Sequence, residues 1–244
     1  MIAARALHAA VALLALCAGE AAVAQQHSTC PAIPTPAQFG PLDRMTVAVR
    51  KIGRDRVLAL EGAIDANTPA LVARAIADNP GVAEIWLRSP GGHAAAGNAT
   101  AAIIRKSGLP VRVPSGWWCI SACNFLFFGG AIRMIDPGGQ FAVHMATTVN
   151  DERYQARVGE LAKRGAKEGV LEEIARREQS TAILTADDID VILRMGISRK
   201  LLSEVMYAQR ADAFRDGRAI DGPVETYRCL TRAEMVRYNV VNTD

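Results

Sequence analysis

Between Met45 and His144 short apolar runs of strand length alternate with runs of helical period, and a glycine or proline turn separates almost every pair. Met45–Val49 and Val57–Glu61 read as two strands around the turn Gly53-Arg54-Asp55. Thr68-Pro69 then opens a helix, with threonine as N-cap and proline at the first helical position. Leu71, Val72, Ala75 and Ile76 recur at helical spacing until Asn79-Pro80-Gly81 stops it. Ala83–Leu87 is the next strand, Ser89-Pro90-Gly91-Gly92 a turn at its end, and Ala94–Lys106 a second helix that closes at Ser107-Gly108. Val111–Val113, Trp117–Ile120, Ile132–Ile135 and Phe141–His144 complete the strands. Such alternation predicts α/β crossovers with parallel pairing.

Residues 151–218 differ in character. Glu152–Gln179 is charged, alanine-rich and free of proline, Thr185-Ala186-Asp187-Asp188 reads as the cap of another helix through Leu193, and Ser198–Gln209 is a further helical stretch. This predicts two or three helices inserted into the domain, as a solvated excursion or as an oligomerisation or substrate-covering element. Asp187, Asp188 and Asp190 read as capping or surface carboxylates.

The first 24 residues carry a targeting pattern: Arg5, the apolar run Ala9–Ala18, then the small residues of Ala22-Val23-Ala24. Cleavage before Gln25 and export to the periplasm are expected. Leu16 ahead of Cys17 argues against lipidation, and no stretch reaches the roughly 20 apolar residues of a membrane span. Residues 25–43, with Pro31, Pro34, Pro36 and Pro41, read as an extended leader, and residues 44–244 as one domain. A net charge of +3 with both signs interspersed excludes an electrostatic nucleic-acid binder.

Export leaves Cys30, Cys119, Cys123 and Cys229, an even count that invites disulfides in an oxidising compartment. Of three connectivities, Cys119–Cys123 with Cys30–Cys229 is the favoured one; a buried free thiol at either neighbour of Ser121 is the alternative. No zinc-spaced partner cluster accompanies the pair, so no metal is expected.

Serine hydrolysis needs a nucleophile, a base and oxyanion donors. Ser121 sits between a strand-like run and an apolar helix start, where the N–H of Ala122 faces the same space. Gly91 and Gly92 follow a strand and let a substrate backbone approach, with a glycine N–H as second donor. Among the histidines outside the targeting segment, His27 lies in the leader, His93 follows the glycine turn and could line the site, and His144 ends a strand, a rigid mount for a base. Trp86 and Trp117-Trp118 read as packing aromatics, Phe125, Phe127 and Phe128 as core, and Arg133 as a partner for a carboxylate.

In order, Gly62-Ala63-Ile64, Ser89-Pro90-Gly91-Gly92 with Gly97, Ser121, Gly129 with Arg133, and His144 resemble the Clp protease/crotonase superfamily, specifically its exported Clp-protease-like serine hydrolases. The resemblance covers roughly residues 45–148 and the tail 226–241. It implies a spiral of β-β-α units, Ser121 as nucleophile, His144 (23 residues on) as base, and Gly92 with Ala122 as the oxyanion hole. The family's acid would fall near Pro223, flanked by Asp221 and Glu225. The cysteines around Ser121 depart from the family pattern. The expected activity is that of a peptidase acting on peptide or protein substrates without a cofactor, within a fold whose members assemble into rings and trimers. The alternative is a non-catalytic binding or assembly module; export disfavours a crotonase-type acyl-CoA enzyme.

Overall fold

The computed structural model describes residues 43–144, 152–206 and 228–243. The targeting segment, nearly all of the leader, and Cys30, Asp221 and Glu225 lie outside them. Strands β1 (Thr46–Ile52) and β2 (Asp55–Glu61) form an antiparallel hairpin with Ile52 opposite Asp55. The rest of the first sheet is parallel: β3 (Glu84–Arg88), β4 (Val111–Val113) and β6 (Arg133–Ile135) follow β2 in the order β1-β2-β3-β4-β6. The continuous run Val57–Leu60 explains β2's place inside this sheet, for all four side chains are buried and a parallel strand covered on both faces has no polar side to show. A second sheet joins β5 (Trp118–Ile120), β7 (Gln140–Val143) and β8 (Arg228–Cys229), parallel then antiparallel. An isolated bridge between Ser89 and Cys119 links the two sheets. The α/β class and the recurring strand–strand–helix units match the expectation.

Three helices cover the sheets: α1 (Thr68–Asp78), α2 (Ala94–Ser107) and α3 (Cys123–Gly129). Leu126, Phe127 and Phe128 of α3 enter the main core with Phe141 of β7, ring centroids 5.2 and 5.8 Å from the two phenylalanines. Gly129 permits the crossing of α3 on α2, because a Cβ there would lie 2.6 Å from the Ala101 carbonyl oxygen. The N-cap of α1 is Asn67 rather than Thr68, whose hydroxyl is engaged by the Asp65 N–H and carboxylate instead.

The inserted helices also differ from expectation. Helix α4 (Glu152–Lys163) and helix α5 (Lys167–Arg194) replace the single run Glu152–Gln179, with Gly165 at φ 67° between them. Thr185-Ala186-Asp187-Asp188 is no cap; α5 continues through it, since the Thr185 hydroxyl donates to the Thr181 carbonyl one turn back (2.8 Å). After α5 a π-helical turn, Leu201–Met206, stands in the described part of the expected Ser198–Gln209 helix. Exposed side chains such as Ile183 line the middle of α5, while Val191 and Ile192 at its end are buried.

Arg133 overturns its expected pairing with a carboxylate. It is 2% exposed, and its guanidinium donates to the carbonyls of Val240 (2.8 Å), Asn239 (2.9 Å), Gly130 (3.3 Å) and Met195 (3.4 Å). Burial, then the charge of Arg105, lowers its pKa to about 10. It thus ties the end of α5 and the C-terminal segment, beyond helix α6 (Arg232–Arg237), to the core. The buried carboxylate Glu61 takes ion pairs from Arg50 and Arg88, whose guanidinium carbons both lie 5.4 Å from the centre of the Trp117 ring. No helix among the described residues is long and apolar enough to cross a membrane.

Candidate active site

Ser89 follows β3 beside β5, donating its N–H to the Trp118 carbonyl and accepting from the Ile120 N–H (3.0 and 3.1 Å). The next residues therefore run alongside the end of β5, where Ser121 leaves the strand at φ 58°. A left-handed backbone costs a residue with a side chain on the order of 1–3 kcal/mol and persists only where its surroundings enforce it. Here they do. The Ser121 N–H bonds Ala142 of β7, its carbonyl accepts from Asn124, and a disulfide joins Cys119 to Cys123 on either side (S–S 2.00 Å). The bend turns the chain sharply from β5 into α3 and leaves the serine at the corner, partly exposed.

Gly91, at φ 94°, abuts that corner. A Cβ on it would fall 2.6 Å from the Ser121 Cβ and 2.9 Å from the Ala122 nitrogen, so only glycine fits. Gly92 bridges Ile64 in the parallel sense: Ile64 donates to the Gly91 carbonyl and accepts from the His93 N–H. That pattern turns the Gly92 N–H away from Ile64. Among the described residues no acceptor takes the N–H of Gly92 or of Ala122.

His144 follows β7, the strand parallel to β5, with Ile120 in register with Ala142. Ser121 and His144 thus leave the same edge of adjacent strands, which run about 4.8 Å apart. Both line one cavity of about 80 Å³ whose other walls include Phe125, Phe128, Val143, Ile192 and Leu202. His93 serves elsewhere, for its Nδ1 accepts the Ala96 N–H (3.2 Å) and caps α2.

Two further residues line this cavity, neither of them assigned to it from the sequence. Asp188, expected at the surface, enters it from the end of α5 and accepts a hydrogen bond from the Asn98 amide (2.8 Å). Burial, more than its neighbour Asp187, raises its pKa. The usable signal was its position one turn before Ile192 on the stripe Asp188–Val191–Ile192–Met195. Asn124, 7% exposed, donates to the Ala142 carbonyl (3.0 Å), and its buried Oδ1 has no partner among the described residues. Its signal was one amide inside the apolar run Ala122–Phe128.

Cys229 is also disulfide-bonded, and since Cys119 and Cys123 hold each other its partner lies outside the described residues. A larger cavity of about 650 Å³ lies between β6 and α6, where Arg112 pairs with Asp136; among the described residues no nucleophile–base pair lines it.

No protein-family model matches the chain, and no curated protein matches it. Solved structures similar to it include a mutant of ClpP1 from Listeria monocytogenes, at 16% identity and TM-score 0.36, covering 76% of this chain and 88% of that one. A mutant of the 1510-N membrane-bound stomatin-specific protease is 16% identical at TM-score 0.38, covering 76% and 75%. An enoyl-CoA hydratase from Thermoplasma volcanium is 17% identical at TM-score 0.32, over 41% of this chain and 51% of that one. Likenesses of this size speak to no activity.

Proposed function

We propose that this chain is an exported, Clp-protease-like serine hydrolase that cleaves peptide bonds. One observation carries the reading: a serine held at positive φ shares a cavity with a histidine at the end of the neighbouring parallel strand. Ser121 Oγ attacks the scissile carbonyl carbon while its proton passes to His144. The N–H groups of Gly92 and Ala122 receive the oxyanion, which collapses as His144 protonates the departing amine. Water deprotonated by His144 then attacks the acyl carbonyl, and His144 returns that proton to Ser121 Oγ as the acyl–oxygen bond breaks and the carboxylic acid leaves. Asp221 or Glu225 is proposed to orient the imidazole. The cycle calls on no metal or organic cofactor. A disulfide across the serine corner fits the oxidising compartment that the N-terminal segment suggests, and Cys30 is the proposed partner of Cys229.

A fluorophosphonate probe tests this. The wild-type protein is expected to be labelled at Ser121 and Ser121→Ala not at all, with His144→Ala slowed by about 10³-fold or more. Equal labelling of wild type and Ser121→Ala, or none of either, overturns the reading in favour of a binding module.

A further inference from the structure

The walls of the Ser121 cavity are mostly apolar, yet beyond the serine and histidine they carry the carboxylate of Asp188. Asn124 is spent on the fold, for its Nδ2 donates to the Ala142 carbonyl and its Oδ1 is shut off from solvent. Asp188 Oδ1 accepts from Asn98, and among the described residues Oδ2 has no donor. The described lining contains no lysine or arginine. A buried acceptor without a donor costs on the order of 1–3 kcal/mol, a cost relieved when a ligand brings the donor.

The geometry points to a specificity pocket: we infer that the cavity receives a substrate side chain with an aliphatic stem and an ammonium head, lysine above all, with the Asp188 carboxylate accepting the head. Phe125, Phe128 and Ile192 would flank the methylenes, and the head's N–H groups supply the donor that Asp188 Oδ2 lacks. Asp188 supplies the opposite charge in surroundings where it is poorly screened. An apolar side chain of the same length would fill the same space but leave the Asp188 acceptor unmet, and that asymmetry is a source of discrimination. The inference rests on the proposed nucleophile only in taking the occupant to be part of a substrate.

The test separates the two ideas by reading binding without catalysis. Ser121→Ala is melted with Nα-acetyl-lysine methylamide and with its norleucine counterpart. The lysine compound is expected to raise the melting temperature by about 2 °C or more at saturating concentration, and the norleucine compound by less than half of that. Adding Asp188→Asn should remove the difference. Equal shifts, no shift with the lysine compound, or a preference unchanged by Asp188→Asn would overturn the pocket whatever Ser121 does. Should Asp188→Asn fail to fold, n-butylammonium replaces the variant, with n-pentanol as its neutral counterpart. Only the cation should shift Ser121→Ala, and equal effects would sink the inference. Fluorophosphonate labelling of the wild type, run in parallel, reports on the nucleophile alone.

Discussion

At Ser121 backbone strain and proposed chemistry coincide, and they can be separated. Ser121→Gly removes the penalty of φ 58° together with the hydroxyl. It is expected to abolish probe labelling while raising stability by about 0.5–1 kcal/mol, measured by chemical denaturation. Ser121→Val, β-branched in the same conformation, should lower stability instead. Asp188 gives the acid–base counterpart. Burial raises its folded pKa above the unfolded value, so its neutral form favours the fold. That contribution is complete below the unfolded pKa and is lost as pH rises through the folded one. Asp188→Asn is therefore expected to raise the melting temperature more at pH 8 than at pH 4. The titrating neighbours to be controlled, among the described residues, are Asp187 on its own helix and His144 across the cavity. A gain independent of pH would contradict the assignment.

At the scale of elements, the corner between β5 and α3 is held by packing on one side and by a covalent bond on the other. Replacing both Cys119 and Cys123 by alanine reopens a very short loop. The chain-entropy estimate for such a loop is about 2 kcal/mol, and denaturation of the double variant should show a loss of at least that size. Labelling of Ser121 should slow in parallel, since the serine's backbone would relax toward negative φ. Gly91→Ala acts from the facing turn. Its new methyl would collide with the Ser121 Cβ and with the backbone of Ile120 and Ala122, so a destabilisation of several kcal/mol and loss of labelling are expected.

For the whole molecule, Arg133 gathers carbonyls from three separate segments. Arg133→Met leaves them buried without donors, and a loss of about 3 kcal/mol or more is expected by calorimetry, with an earlier melting of the C-terminal segment. None of this could be read from the sequence, where an arginine in a strand suggests a carboxylate partner. The parallel sheet was readable because Val57–Leu60 is an apolar run, and Ala83–Leu87 a largely apolar one, between glycine turns, and that pattern is local. Ser121, Gly91 and Gly92 were readable for the same reason. Asp188 was not, because its burial depends on how a long inserted helix returns to the core, and Asp187-Asp188-Ile189-Asp190 in isolation has the composition of a solvated turn. The extent of α5 was misjudged on similar grounds: threonine favours caps, but nothing local says that its hydroxyl is already satisfied one turn back.

The two halves of the cavity rest on different supports. Its serine edge is anchored to a buried sheet, where almost any replacement disturbs the core. Its acidic wall stands where a long inserted helix returns to the core, one turn before the buried Ile192, while side chains such as Ile183 on the middle of that helix are exposed. A substitution at Asp188 therefore changes the wall of the cavity and leaves the serine corner as it is.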